Sequence, residues 1–132
     1  MSASASKAAC TAARPVHFEF QTADPAKTGA FFAKAFGWKV AKWDGPMEYH
    51  MVETGDGPMG INGGIGRCPD GKPVTTNVLG VEDLDASIKA VTAAGGKIVA
   101  PKMAIPTVGW LAYAQEPTGI VFGMMQGDPT AA

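Results

Sequence analysis

Cysteine, basic clusters and long apolar runs are all scarce in this sequence, and each scarcity removes a class of protein. Cys10 and Cys68 are the only cysteines in 132 residues. They argue against a disulfide framework and for a reducing compartment, and so for a cytoplasmic protein. The formal charge is −1 with no basic block, so nucleic-acid binding has no electrostatic support. No apolar run approaches the roughly 20 residues of a membrane span. Apart from Ser87, serine is confined to the N-terminal stretch, and no nucleophile motif surrounds it. Residues 1–14 lack the apolar region of a secretory signal and read as a disordered tail.

What is present is a duplication. Asp24-Pro25 opens an apolar stretch filled by Phe31, Phe32 and Phe36 and closed by Gly37-Trp38-Lys39-Val40. Asp83-Leu84 opens a second copy 59 residues later, filled by Ile88 and Val91 and closed by Gly96-Lys97-Ile98-Val99. Each copy reads as strand, helix, then strands. Asp24 and Asp83 suit the helix N-cap, Pro25 the first turn, and Gly37 a left-handed C-cap. Two such halves give an α+β fold of two β-α-β-β-β modules. Neither half buries enough apolar surface to stand alone.

The expected boundaries are a tail over 1–14, one domain over 15–127 and a C-terminal tail over 128–132. Within the domain, module one runs 15–66, a linker 67–73 and module two 74–127. Strands are expected over 16–22, 39–43, 48–53, 59–65, 75–81, 97–100, 109–115 and 120–126. Helices are expected from the caps to Phe36 and over 84–94. Pro101 to Pro106 reads as a loop. In the first strand Val16, Phe18 and Phe20 share one face and His17, Glu19 and Gln21 the other. The aromatic face needs the helix, which leaves the polar face to a cavity or to solvent. In 59–65, Ile61 and Ile65 claim the core side, and Gly60, Asn62 and Gly64 the other. Glycines inside a strand point to close approach of a backbone or ligand.

These motifs resemble the vicinal oxygen chelate superfamily, the glyoxalase/bleomycin-resistance/dioxygenase fold. The residues that carry the likeness are His17 with Asp24, Ala35-Phe36-Gly37-Trp38, Val81-Glu82-Asp83-Leu84-Asp85, Gly109-Trp110-Leu111-Ala112 and Glu116 to Phe122. The sequence looks closest to the proteins described as predicted enzymes related to lactoylglutathione lyase. The resemblance implies a half-open curled barrel with helices outside. In metal-dependent members a divalent ion is held by the first and last strands of each module. Those positions here are His17, Gly64, Thr76 and Gly123. Only His17 is a metal-ligating residue type, so no cofactor and no complete metal site are expected. A displaced site would have to be built from Glu19, Glu48 and His50.

Two functions follow as expectations. In the first, His17 and Glu19 transfer a proton next to the carbonyl of a small oxygenated molecule, a lyase- or isomerase-type reaction. Asn62, Gln21 and Trp110 would then contact the substrate in a cleft between the modules. In the second, the cleft sequesters an aromatic or planar compound without chemistry, as bleomycin-resistance relatives do. The expected partners are a small molecule and a second copy of the chain, because an open half-barrel leaves strand edges to cover.

Overall fold

The computed structural model describes residues 13–132. Most of the expected tail, residues 1–12, lies outside them. The chain divides into two compact units. One is formed by residues 16–77, the other by 78–132 together with the residues just before Val16. The elements run β1 (Arg14–Thr22), α1 (Pro25–Phe36), β2 (Lys39–Lys42), β3 (Tyr49–Glu53), β4 (Asn62–Arg67), β5 (Val74–Gly80), α2 (Leu84–Ala93), β6 (Lys97–Ile105), β7 (Gly109–Gln115) and β8 (Val121–Gly127). This is the expected α+β pattern of two β-α-β-β-β repeats. Neither helix is long and apolar enough to cross a membrane.

In the first unit β1 lies parallel to β4, β4 antiparallel to β3, and β3 antiparallel to β2. Helix α1 begins where expected. The Asp24 carboxylate accepts from the Lys27 backbone N–H at 3.1 Å, and Gly37 closes the helix at φ 74°. Gly29 is the helix's closest approach to the sheet. A Cβ there would stand 2.9 Å from Val40 Cγ1 and 3.6 Å from Ile65 Cδ1. The aromatic face of β1 meets the helix as expected, with the Phe20 and Phe32 rings 5.2 Å apart and Trp38 stacked on Phe32 at 4.7 Å. Ile65 and Val52 are fully buried beneath them.

Three expectations about packing fail here. Phe31 and Phe36 are 60% and 67% exposed, because the side of α1 that meets the sheet is the one bearing Pro25, Gly29 and Phe32. Ile61 is exposed, because β4 starts at Asn62 and leaves Ile61 in the preceding loop. Val16, at the free end of the aromatic face, is also exposed.

In the second unit β5 pairs parallel with β8, β8 antiparallel with β7, and β7 antiparallel with β6. Asp83 caps α2 through the Ala86 N–H at 3.1 Å, and the Gln126 side-chain oxygen takes the Leu84 N–H at 2.8 Å. The core joins Val81, Leu84, Ala112, Ala114 and Met124, with Ile88 and Val91 of α2 packed against it. The loop expected at Pro101 to Pro106 is instead mostly strand. β6 runs on to Ile105, with register shifts between Ile98 and Met103 that absorb Pro101. An edge strand with a bulge tolerates a residue that has no N–H to donate.

Candidate functional site

The polar face of β1 carries a chain of hydrogen bonds in the first unit. His17 and Glu19 project from that face, and Tyr49 reaches them from β3 across the register of β4. His17 Nε2 lies 2.8 Å from the Tyr49 hydroxyl, and that hydroxyl donates to Glu19 Oε2 at 3.4 Å. A phenol has one proton. When it goes to the carboxylate, His17 donates from Nε2; when it goes to Nε2, the imidazole carries its own proton on Nδ1. Glu19 is 8% exposed, so a carboxylate is held almost out of water.

Electrostatics set the protonation of two members. Burial lowers the His17 pKa from its ordinary 6.5, and the nearby Glu19 charge only partly offsets this. The imidazole is therefore neutral at neutral pH. Burial, then the Glu19 charge and hydrogen bond, push the Tyr49 hydroxyl well above the usual tyrosine range. Tyr49 stays protonated and remains a donor. The site thus combines a neutral base, a permanent donor and a buried carboxylate.

The glycines of β4 make room for this arrangement. A Cβ at Gly64 would fall inside the Tyr49 hydroxyl, and one at Gly63 would stand 2.5 Å from the Phe18 ring on the opposite face. Strand alternation requires both glycines, one for each face. Trp43 meets the Tyr49 ring edge-on at 6.2 Å, and its backbone N–H donates to the Tyr49 carbonyl at 2.8 Å. Sequence reasoning missed Tyr49. The available signal was Gly64 itself, a glycine in mid-strand opposite a polar strand face, read as room for a ligand.

The other expected site residues are placed differently. Asn62 is exposed, and its side-chain oxygen accepts from the Thr54 N–H at 3.0 Å, closing the β3–β4 loop. Gln21 is half-buried and lines a surface cleft of about 300 Å³ with Phe20, Thr22, Thr28 and Phe32. Trp110 belongs to the second unit. Its indole N–H donates to Asp128 at 3.0 Å, and the Lys102 ammonium sits 4.9 Å over its ring.

The residues do not fit the divalent ion that the fold implies. Gly64 and Gly123 have no ligating side chain and Thr76 offers only a hydroxyl. Glu48 pairs with Arg67 at 2.8 Å, and His50 alternates with Tyr49 onto the face of buried Val52, away from Glu19. Among the described residues no three His, Cys, Asp or Glu side chains could share an ion.

Comparison with known proteins places this site in a fold. No family model matches the sequence. A protein named "Putative glyoxylase CFP32", from Mycobacterium bovis and Mycobacterium tuberculosis, is 27% identical over 121 residues, 86% of this chain. The chain spans 46% of that protein's length. Methylmalonyl-CoA epimerase from M. tuberculosis matches with a TM-score of 0.66 at 11% identity, over 86% of this chain and 87% of its own. A methylmalonyl-CoA epimerase in complex with methylmalonyl-CoA and NH4+ matches at 0.69 and 13%, over 91% and 98%. A hypothetical protein from Bacillus halodurans matches at 0.71 and 12%, over 90% and 97%. With its two β-α-β-β-β repeats, the chain has the fold that these solved structures share, in agreement with the resemblance to glyoxalase-like proteins carried by its sequence.

Proposed function

We propose that the protein binds a small oxygenated molecule at His17, Tyr49 and Glu19 and moves a proton at the carbon beside its carbonyl. The observation that carries this reading is the hydrogen-bonded chain of a neutral imidazole, a protonated phenol and a buried carboxylate. Neutral His17 takes the C–H proton, and the bonding pair moves into the carbonyl to give an enolate. The Tyr49 bond to Glu19 is long at 3.4 Å, so a substrate oxygen at normal distance would take that proton in its place. Glu19 then faces the imidazolium it helps to stabilise. Delivery of a proton to the opposite face of the same carbon gives an epimer, and delivery to the neighbouring carbon gives an isomer. Neither outcome needs an oxidant or reductant. The methylmalonyl-CoA epimerases that share the fold support an α-substituted acyl thioester as the first substrate class to try.

The test is exchange of the α-proton in deuterated water, followed by NMR, over α-branched acyl thioesters and α-hydroxy carbonyl compounds. Exchange is expected with the wild type, and a loss of about 10²–10⁴-fold with His17→Ala. The second reading, sequestration of an aromatic compound, draws support from the cleft beside Phe20 and Phe32. Ligand-dependent thermal stabilisation without any exchange would establish it and end the catalytic reading.

The same proposal includes a homodimer. Phe31 and Phe36 on α1 leave an apolar surface that proteins normally cover. Light scattering at micromolar concentration should give twice the chain mass, and a monomer mass would count against it.

A further inference from the structure

One steric device occurs in both units. In the first, Gly64 of β4 lies under Tyr49 of β3, whose hydroxyl fills the place of a Cβ. In the second, Gly123 of β8 is paired with Tyr113 of β7, and a Cβ there would stand 3.2 Å from Tyr113 Cε1 and from Val78 Cγ2. These glycines are 59 residues apart. They are the two last-strand positions at which the resemblance to the superfamily puts metal ligands. In both units, then, a tyrosine from the adjacent strand crowds the place of the ligating side chain. The first unit carries the replacement further. An imidazole ligates through a lone pair, and His17 Nε2 has the Tyr49 hydroxyl as its partner at 2.8 Å, so a metal on that nitrogen would have to displace the phenol.

We infer that Tyr49 is the group with which this chain replaces a metal beside His17. Position 64 is glycine because the ring must lie there, and the oxygen of a bound carbonyl compound is met by the phenol. Gly64 and Tyr49 form one unit, in which position 64 can take a side chain only if the Tyr49 ring is removed. His17 is on this account a partner of Tyr49 and no longer a metal ligand. The inference concerns what occupies the site and stands whether or not the bound molecule is turned over.

Two measurements on the full-length chain, freed of any affinity tag, test it. The first is thermal unfolding of Gly64→Ala in the wild type and in a Tyr49→Ala background. A fall in Tm of at least about 5 °C is expected in the wild type, with little or no fall once Tyr49 is Ala. If Gly64→Ala alone does not fold, rescue by Tyr49→Ala gives the same answer. Equal losses in the two backgrounds would overturn the pairing. The second is titration of chelator-treated protein with Co²⁺, read as a shift in Tm. No saturable shift is expected up to about 1 mM, where a ligand at a hundredfold excess over Kd would be plain. A saturable shift with one ion per chain that disappears in His17→Ala would show that His17 still ligates, and the replacement would be refuted.

Discussion

Tyr49→Phe isolates the hydroxyl from the ring. Phenylalanine keeps the volume over Gly64 and the edge-on contact with Trp43, so the change removes two hydrogen bonds and little else. The His17 bond is a normal neutral bond at 2.8 Å, and the bond to Glu19 is charge-assisted but long at 3.4 Å. Neutral bonds contribute about 1 kcal/mol each, and leaving a buried group without its partner costs about 1–3 kcal/mol. The expected loss is therefore about 1–3 kcal/mol. With a urea dependence of about 1–3 kcal/mol per molar, the unfolding midpoint should drop by roughly 1 M. Urea denaturation at pH 7.5 measures it, with His17→Ala and the double variant completing a cycle. The pair should couple by at least about 0.5 kcal/mol, since groups in one hydrogen-bond network are not additive. Additive losses, or a midpoint unmoved by Tyr49→Phe, would falsify the hydrogen-bonded chain as described.

Three further expectations follow from the same structure. The His17 pKa lies below 6.5 in the folded protein, so the unfolded chain binds more protons just below that value; the resulting stability is complete above about pH 6.5 and is lost as pH falls through the folded pKa, and His17→Gln should flatten this slope in Tm measured from pH 5 to 7.5. Asp24→Ala removes the carboxylate that holds the Lys27 N–H and should cost about 0.5–2 kcal/mol in urea unfolding. Leu84→Ala empties a fully buried position in the second core and should cost about 2–5 kcal/mol by the same assay, with a smaller loss only if the cluster collapses onto the void.

The features that read correctly from sequence are those fixed by local chemistry. Asp24, Pro25, Gly37 and Asp83 marked both helices, because a cap needs only its own few residues. The alternation of β1 put His17 and Glu19 on one face, and they are joined there through Tyr49. What could not be read depended on neighbours distant in sequence. Tyr49 reaches Glu19 from β3, 30 residues away, and no spacing rule announces that pair. Asn62 had the right strand face, yet a nearer partner, the Thr54 N–H, holds its oxygen. Phe31 and Phe36 have the composition of a core and point away from it, since periodicity shows which residues share a side and not how wide the buried stripe is. Pro101 looked like a strand terminator, but on an edge strand its missing donor faces no partner.

The near-bareness of β4 has a consequence for how faithfully the site is assembled. In Asn62-Gly63-Gly64-Ile65-Gly66-Arg67, Ile65 is the only large apolar side chain, wholly buried between glycines. Glycines carry nothing that resists sliding past Phe18 on one face or Tyr49 on the other, and a one-residue slip exchanges the two faces of a strand. Alignment of His17 with Tyr49 thus depends on one aliphatic anchor in mid-strand, with side-chain contacts only at the strand's ends, Asn62 to Thr54 and Arg67 to Glu48. Shortening that anchor would blur the site before it melted the fold, and a variant such as Ile65→Ala would show it as several resolved imidazole environments for His17 in a protein that still unfolds cooperatively.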